Sequence, residues 1–499
     1  MSKIKIGWSE ISITPEKGKK IGLAGQFFER ITDEVERPIT ATATAIDNGN
    51  DYMIFVSCDL NSIGVNLCEN VKALVKNEID IDVDKIIINA THSHTTWVYE
   101  STAVLKDGSG ASLEVIQKYI PKTMIYEPVA SNEESVKPKD ALDFLSSRIA
   151  KAVIEAWQNR EFAFYQNAFG RAVVGHNRRV CFDDGSSEMW GDTSLASFSE
   201  LEGGTDSGIE LIYTFNGAKK PTGVIVNLAC PAQAVQHRNF ISPDFWGRVK
   251  ENLRLKFGAD FKVLALCSAA GDQCPIDMIR WVNPESPIND PNIKRENCPE
   301  RRADPSMFDI SGMKMVGRRI SNEIIGVYEE LDGDFKDDGF IKHETVTLAL
   351  PLRRVTKSEY NDALEKIERF VEKNKDRKLS FEDNAKMHVY GGIVQRYQVQ
   401  QKINNFNVEV HYIRFGDVAF CTNPFELFLD YGNQIRARSM AKQTFIIQLA
   451  CGKAGYLPTL KAEKGGHYSA YVSSGVAGHD GGTIIVKDAL THINNMFND

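Results

Sequence analysis

The sequence contains no apolar run of the roughly 18 to 20 residues that a membrane-spanning helix needs, and its first residues lack the apolar core of an export signal. It also lacks a surplus of basic residues, because 59 Lys and Arg stand against 67 Asp and Glu and give a net charge of −8. This charge argues against a general electrostatic attraction to nucleic acid or to an anionic membrane. We therefore expect a soluble, cytoplasmic protein that binds no nucleic acid and does not insert into membranes.

The nine cysteines are an odd number and none forms a Cys-x-x-Cys pair, which disfavours a disulfide framework and a structural zinc ribbon. The chain also lacks a Pro/Ser-rich linker, a low-complexity tract and an internal repeat of fixed period. We therefore predict a single catalytic domain over residues 1–499, with sub-lobes at 1–335 and 336–499. The sequence is compatible with a homo-oligomer.

Three apolar segments each run directly into side chains that bind metals or act as nucleophiles. They lie at 86–95, 224–237 and 263–275. Together with the helical patterns between them, they predict an α/β protein with mixed β-sheets flanked by helices. Because the carboxyl ends of strands form the crevice where such proteins bind ligands, we expect one active site there.

Two of the helical patterns open at capping residues. Ser242 and Pro243 predict a helix with Ser242 as its N-cap and the proline at its first position. Asn423 and Glu426, three residues apart, predict a capping box ahead of a helix over 424–439. Glu426 is equally a candidate carboxylate ligand for a metal, and the sequence alone leaves both interpretations open.

The segment Thr91-His92-Ser93-His94 contains two of the ten histidines. On a strand, side chains alternate with period two, so both imidazoles would face one side. They could share one metal, or one could bind metal while the other moves protons. Two histidines that only cap a strand end explain the pattern about equally well.

The loop at 271–275 carries Asp272 and Cys274 directly after a buried strand. A cysteine beside backbone N–H groups is a candidate nucleophile with an oxyanion hole, provided that a histidine or a metal lowers its pKa. A buried and inert cysteine is the alternative, as Cys267 in the same segment illustrates.

In this order, these segments resemble the neutral/alkaline non-lysosomal ceramidase family in its N-terminal catalytic domain. The resemblance includes the opening GWSEISITPEKG, the motif ATHSHT where the family has ATHTHSG, and NRR where it has an Asn-Arg pair. It continues with AAGDQCP where the family has GDVSP, NPFELF where it has a PGEF-like segment, and GYLPT. It covers most of the chain and implies a ceramidase-like catalytic domain.

The resemblance also implies an amidase in which two histidines, a glutamate and a tyrosine hold a zinc ion. Such an ion acts as a Lewis acid and lowers the pKa of a bound water toward about 7. By position, the family's roles fall on His92, Glu426 and Tyr456 as zinc ligands, His94 as acid or base, Arg178 as a substrate-orienting cation, and Asp272 and Cys274 in the loop of the family's serine.

The family's second zinc-binding histidine has no counterpart, because Cys230 and a proline occupy that part of the chain. Either Cys230 as a thiolate or His237 would then complete the ligand set, and we expect His237. Tyr468 competes with Tyr456 for the phenolate position. Cys274, which stands where the family has serine, would be a nucleophile, a thiolate ligand or an inert residue.

Members of the family that act on membranes are secreted and carry a further C-terminal β-sandwich domain, for which this sequence has no room. We therefore expect a small polar N-acyl or carbohydrate-derived substrate rather than ceramide. Irregular segments at 97–140 and 277–306 would cover the site. Five aromatic residues near the predicted site would either stack on a sugar ring or pack in the core or against the covering segments. They are Trp97, Tyr99, Trp190, Trp246 and Trp281.

The leading prediction is a zinc-dependent hydrolase that cleaves an amide by metal-activated water or by Cys274-assisted attack. A hydrolase of glycan bonds on the same scaffold is one alternative. A metal-free thiol hydrolase, with Cys274 as nucleophile and His94 as base, is another. A non-catalytic, ligand-binding relative is the third, because one scaffold hosts several chemistries.

Overall fold

The computed structural model describes residues 3–26, 29–99, 118–124, 135–279 and 309–498, and there it forms the mixed sheets flanked by helices that the sequence predicts. Its largest sheet has eight strands, in which only the outermost pair at each edge runs parallel. In spatial order the strands are Lys262–Cys267, Pro221–Leu228, Gly208–Asn216, Glu161–Arg171, Lys5–Ser12, Thr40–Asp47, Tyr52–Cys58 and Ile86–Ala90.

This sheet curls until its two edges approach each other. The carbonyl of Ala265 at one edge accepts hydrogen bonds from Asn89 Nδ2 (3.2 Å) and Ser57 Oγ (2.5 Å) at the other. The segments that follow the edge strands also meet, since the N–H of Ala232 donates to the carbonyl of Thr91 at 3.2 Å. Loops that are far apart in the strand order therefore share one place.

A second sheet of four strands packs against the first. Phe420 of the second sheet contacts Phe55 of the first, with ring centroids 5.0 Å apart, and both belong to one apolar core. The predicted division at residues 335 and 336 falls between the two sheets and stays a prediction. In spatial order the strands of the second sheet are Ile341–Pro351, Asn405–Phe415, Val418–Thr422 and Gln443–Ile447.

Helices cover both sheets, and two of them begin with capping boxes at Thr356 and Ser380. In each box the side chain of the N-cap residue accepts from a backbone N–H three residues later, and the acidic side chain there accepts from the N-cap N–H. Among the described residues, no helix is long and apolar enough to cross a membrane. The α-helices are Val65–Glu78, Pro138–Gln158, Phe245–Phe257, Asp309–Glu329, Lys357–Lys373, Phe381–Val399, Leu429–Arg438, Leu460–Gly465 and His479–Asn498, with 3₁₀ turns at Val83–Lys85, Lys122–Met124 and Val472–Ser474.

Short strands complete the fold near the carboxyl ends of strands in the large sheet. The predicted covering segments at 97–140 and 277–306 lie mostly outside the described residues. The short strands are Ser187–Met189, Arg179–Phe182 and Phe198–Leu201 in one group, and the pairs Gln273–Cys274 with His176–Asn177, Glu426–Leu427 with Tyr456–Leu457, and Ile21–Gly22 with Ile31–Thr32.

The helix predicted to follow Ser242 begins at Phe245, two residues later than predicted. Its N-cap is Asp244, whose carboxylate accepts the N–H of Phe245. Ser242 donates its hydroxyl to Glu36 instead, at 3.0 Å. The prediction of Ser242 as N-cap was wrong because Asp244 adopts a left-handed conformation, with φ of 57°, that turns its own carboxylate onto the helix start.

The capping box predicted at Asn423 is also absent, since the helix begins only at Leu429. The intervening Glu426–Leu427 pairs as a short parallel strand with Tyr456–Leu457. A tertiary pairing with a segment about thirty residues away therefore overrides the local helix signal, as long-range contacts often do. The carboxylate of Glu426 is consequently free of a capping role.

Candidate functional site

A cavity of about 310 Å³ opens where the strand-end segments meet the Glu426–Leu427 and Tyr456–Leu457 pair. This volume lies near the lower end of the range for small-molecule sites, about 300 to 1,000 Å³. Several ionisable side chains converge on it. The described ones are His92, His94, His388, Glu426, Lys453, Tyr456, Tyr468 and Tyr471.

His92 and His94 both reach this cavity, although the strand before them ends at Ala90. Their ring centroids are 4.7 Å apart and their Nε2 atoms 3.3 Å apart. His92 has a φ of 65°, a conformation that costs a residue with a side chain on the order of 1–3 kcal/mol. Gly25 is required beside them, because a Cβ there would lie 2.4 Å from the His94 ring. A strained turn, and not the alternation of a strand, brings the two imidazoles together.

Hydrogen bonds fix which ring nitrogens face inward. His92 Nδ1 lies 2.7 Å from the carbonyl of Asn61, and because a carbonyl only accepts, Nδ1 carries the proton and Nε2 faces the cavity. Arg178 Nη1 donates to Gln233 Oε1 at 3.1 Å, so the amide nitrogen of Gln233 points away from Arg178. That nitrogen donates to His94 Nε2 at 2.8 Å. When both imidazoles are neutral, the Nε2 atoms of His92 and His94 are therefore acceptors.

Glu426 and Tyr456 are direct partners across their short parallel pair, which projects both side chains into the cavity. Glu426 Oε2 lies 3.2 Å from His92 Nε2. The Tyr456 hydroxyl donates to the Glu426 carboxylate. Gly271 permits this position, because a Cβ there would lie 2.3 Å from the Glu426 carbonyl oxygen.

Arg178 lies behind the cavity wall and is only 2% exposed. Its Nη2 donates to the carbonyl of Gly271 at 3.0 Å and to the Tyr456 hydroxyl at 3.5 Å, and it lies 3.9 Å from Glu426 Oε2. These contacts hold the side chains of the cavity in position, and the prediction that Arg178 orients the substrate stays a prediction.

The electrostatics of the cavity follow from burial and from these neighbours. Burial, with His92 and Arg178 nearby, lowers the pKa of His94 well below its usual value, so His94 is neutral. Burial opposes ionisation of Glu426, but His92 and Arg178 outweigh it and bring its pKa below the ordinary value. Burial and the Glu426 charge raise the pKa of Tyr456 well above its usual value. Tyr456 would therefore become a phenolate only beside a strong cation.

The donor set of the cavity fits a zinc ion. His92 Nε2 faces Glu426 Oε2 at 3.2 Å and His94 Nε2 at 3.3 Å, and either a proton or a metal ion between His92 and Glu426 would satisfy these electron-rich atoms. Imidazole nitrogen and carboxylate oxygen are ordinary zinc ligands, and the Asn61 carbonyl holds the His92 ring as outer groups hold metal-binding histidines. Of the four predicted ligands, the structure brings together His92, Glu426 and Tyr456.

The fourth predicted ligand, His237, is not among the described residues that line the cavity. Its Nε2 lies 3.5 Å from Asp309 Oδ1, and burial lowers its pKa to about 4. The alternative, Cys230, donates its thiol to the carbonyl of Val174 at 3.3 Å, and burial raises its pKa well above the usual value. Gln233, between them in sequence, is the residue of this segment that contacts His94.

Asp272 and Cys274 brace the wall, and neither is among the described lining residues. Asp272 accepts from Asn177 Nδ2 at 2.8 Å and from the N–H of Leu429 at 2.9 Å, while burial raises its pKa to about 6. Cys274 is fully buried and donates its thiol to the carbonyl of Ile276 at 3.3 Å. The structure thus places both residues in supporting contacts.

The aromatic residues that would stack on a sugar are, where described, buried. The aromatic groups that do line the cavity are tyrosines, and the hydroxyls of Tyr456 and Tyr468 are 2.8 Å apart. Both candidates for the phenolate position therefore lie at the site, with Tyr456 the one bonded to Glu426. The buried residues, at most 5% exposed, are Trp97, Tyr99, Trp190 and Trp246, while Trp281 lies outside the described residues.

Sequence reasoning missed Gln233 and Asn61. Gln233 belongs to a strand-end segment already singled out, so a search of that segment for any polar side chain, rather than for metal ligands alone, would have included it. Asn61 contributes only its backbone carbonyl. A backbone contact leaves no signal in the side-chain sequence.

No family model and no curated protein matches the chain, but four chains of solved structures do. A crystal structure of neutral ceramidase from Pseudomonas aeruginosa matches with a TM-score of 0.65 and 13% identity, over 99% of this chain and 75% of that one. A structure described as ceramidase complexed with C2 matches with a TM-score of 0.66 and 12% identity, over 100% of this chain and 76% of that one. The predicted ceramidase-like α/β fold is confirmed, and at this identity the likeness concerns the fold.

Proposed function

We propose that this protein is a zinc-dependent hydrolase that cleaves the amide bond of a small polar N-acyl compound, such as an N-acylated amine or amino sugar. The observation that carries the proposal is the convergence of inward-facing acceptors on His92, His94 and Glu426 inside a small cavity. The ceramidase-like fold adds support by analogy only, because one fold hosts several chemistries.

The chain's own residues divide the work of hydrolysis. A zinc ion held by His92, Glu426 and Tyr456 would supply a Lewis acid and a water of lowered pKa. His94, neutral at physiological pH, would accept the proton of the attacking water at Nε2 when that water displaces the amide N–H of Gln233, and would return the proton to the leaving amine as the C–N bond breaks. Gln233 holds the His94 ring in place through its 2.8 Å hydrogen bond.

Arg178 and Tyr468 support the anionic side of the cavity. The Tyr456 hydroxyl donates to Glu426 and accepts from Arg178 Nη2 at 3.5 Å, so the hydroxyl of Tyr468 is the donor in the 2.8 Å contact between the two tyrosines. Two donors aimed at one phenol oxygen stabilise negative charge on it. This arrangement favours Tyr456 as an oxygen ligand.

The cavity lining supports a small polar substrate. Among the described side chains, Val389 and Leu449 are the only aliphatic ones that line it, whereas two long acyl chains require an extended apolar surface. Lys453 adds a charged donor that suits a hydroxyl, carboxylate or phosphate oxygen on the substrate. Other polar lining groups are Gln26, Asn61, Ser62, Ser473 and Ser474.

Two alternatives receive less support from the described residues. Cleavage of a glycosidic bond ordinarily uses a pair of carboxylates, and Glu426 is the only carboxylate in the described lining. Direct thiol attack requires an accessible thiol, whereas Cys274 is fully buried and bonded to Ile276. Amide hydrolysis by activated water therefore fits the geometry best.

The test is hydrolysis of a substrate panel by the zinc-loaded protein, with products identified by mass spectrometry. The panel contains N-acetylated amines, amino acids and amino sugars beside a short-chain ceramide. We expect the wild type to release a polar amine. The rate of release should fall by at least about 100-fold in His92→Gln and should be retained in the matched control His237→Gln. Equal turnover in wild type and His92→Gln would refute the mechanism, and a preference for the ceramide would refute the substrate class.

A further inference from the structure

Away from the cavity, a second group of metal-ligating side chains converges. Ligand atoms of Glu409, His411 and Cys451 all lie within 4.8 Å of one another. His411 Nε2 lies 3.1 Å from Glu409 Oε1, and the imidazole also bonds to the Cys451 thiol. The thiol of Cys68, on the helix Val65–Glu78, bonds in turn to Cys451. We call these four residues the thiol–imidazole cluster: Cys68, Glu409, His411 and Cys451.

Neighbouring groups fix the orientation of the His411 ring. His343 Nδ1 lies 3.2 Å from the carbonyl of Tyr52, so it carries the proton and His343 Nε2 is an acceptor. His411 Nδ1 lies 3.0 Å from that acceptor and therefore donates to it. The lone pair of a neutral His411 is then on Nε2, which faces the cluster. Metal-binding histidines are typically held in this way through their second ring nitrogen.

Charge in the thiol–imidazole cluster stays balanced when a divalent ion replaces the two thiol protons. Lys72 Nζ lies 2.9 and 3.0 Å from the two carboxylate oxygens of Glu409. Two thiolates and one carboxylate carry three negative charges, and Lys72 with a divalent cation carries three positive ones. Cys68, His411 and Cys451 are at most 6% exposed, where an unbalanced charge is costly.

The contacts of Glu409 agree with a ligand role. Its two carboxylate oxygens lie 2.9 and 3.0 Å from Lys72 Nζ, and Oε1 also lies 3.1 Å from His411 Nε2. One of its oxygens can bind a metal while the other remains paired with Lys72.

We propose that the thiol–imidazole cluster binds a structural divalent transition-metal ion, most favourably Zn²⁺. Glu409, His411 and Cys451, with the Cys68 thiol bonded to Cys451, supply the four oxygen, nitrogen and sulfur ligands that a structural zinc ion uses, whereas Mg²⁺ and Ca²⁺ select oxygen ligands. The ion joins the helix Val65–Glu78, the strand Asn405–Phe415 and the loop that carries Cys451. Because Lys453 on that loop and Tyr456, where the next strand begins, both line the cavity, the ion would fix the position of one cavity wall.

This site is distinct from the proposed catalytic one and has its own spectroscopic signature. The described lining of the cavity contains no cysteine. Cobalt(II) bound by thiolates gives an intense sulfur-to-metal charge-transfer absorption, which a site of histidine, glutamate and tyrosine cannot give. The absorption therefore reports the cluster alone.

The experiment titrates the metal-free full-length protein with Co²⁺ and then with Zn²⁺, in wild type, Cys451→Ser and Cys68→Ser. The matched control is Cys181→Ser, another buried thiol, which lies 3.3 Å from Ser187 Oγ. We expect one equivalent of the thiolate band in wild type and in the control, displaced by zinc. Either cluster variant should lose the band, with affinity lowered on the order of 100-fold or more.

Absence of the band in the folded wild type would overturn the proposal, as would a band unchanged in both cluster variants. His92→Gln separates the two metal sites, because it should abolish hydrolysis while the thiolate band persists. If the serine variants fail to fold, Glu409→Gln serves in their place, and we expect it to shift the band and weaken cobalt binding. An unshifted band of unchanged affinity in that variant would exclude Glu409 as a ligand and refute the set proposed here.

Discussion

Replacing Glu426 by glutamine removes one negative charge from the proposed zinc site and keeps the shape of the side chain. In the metal-free protein we expect a loss of stability. At 3.9 Å, the attraction between Arg178 and Glu426 is about 4 kcal/mol at an effective dielectric constant near 20. Burial opposes ionisation of Glu426, but its neighbours outweigh that cost and lower its pKa. Because the substitution leaves the buried Arg178 without this carboxylate, the free energy of unfolding without metal should fall by about 3–5 kcal/mol.

With zinc present the two proteins should differ strongly. A ligand that binds only the folded state stabilises it by about 2.7 kcal/mol when its concentration is 100 times the dissociation constant. Glu426→Gln loses the only carboxylate of the described lining, so we expect most of this gain to disappear. The assay is denaturant unfolding with and without zinc, together with the number of zinc ions per chain.

Glu210→Gln is the matched control, because Glu210 is a largely buried carboxylate 3.9 Å from Arg436 and is absent from the described cavity lining. The variant at Glu426 should bind one zinc ion fewer than wild type, and the control should bind the same number. Equal zinc content and equal stabilisation in wild type and Glu426→Gln would refute the assignment of this carboxylate as a ligand.

Three further substitutions test the surrounding residues. Gln233→Leu removes the acceptor of Nη1 on the buried Arg178, so the free energy of unfolding should fall by about 1.5–3 kcal/mol and zinc affinity by about 10–100-fold; unchanged titration and unfolding curves would contradict this. Cys274→Ala should cost about 1 kcal/mol and keep kcat within about threefold, whereas complete loss of turnover in a folded, zinc-loaded variant would point to a thiol nucleophile. His237 has a folded pKa of about 4, below its unfolded value of 6.5, so wild type should lose roughly 3 kcal/mol as pH falls through this window. His237→Gln should remove that part of the slope in pH-dependent unfolding and keep its zinc, and an identical slope would refute the assignment.

The sequence predicts best those features of the structure that depend on residues close together in the chain. Apolar runs that end in reactive side chains correctly located the loops after Ile86–Ala90, Pro221–Leu228 and Lys262–Cys267. They could not indicate that two of these strands lie at opposite edges of the sheet and meet because it curls. That curl depends on long-range contacts such as the bonds to the Ala265 carbonyl.

The candidate ligands show the same division. His92 and His94 are two residues apart, and the sequence grouped them correctly although for the wrong geometric reason. Glu426 and Tyr456 meet through a strand pair of only two residues, too short to leave a periodic signal. Gln233 contacts His94 from another strand end, whereas the nearby His237, a residue type that attracts attention as a ligand, contacts Asp309.

The cation that lies between His92 and Glu426, a proton or a metal ion, determines what the site can do. A proton on His92 Nε2 would satisfy Glu426 as an imidazolium–carboxylate pair, while His94 already accepts from Gln233 and the Tyr456 hydroxyl already donates to Glu426. Such a closed pair suits a ligand-binding protein and leaves no group to activate water. His92, Glu426 and Tyr456 would hold a zinc ion in the same place, and the ion would supply a Lewis acid and a water of lowered pKa. Because the fold accommodates both states, the identity of that cation, rather than the likeness to ceramidases, decides between binding and catalysis.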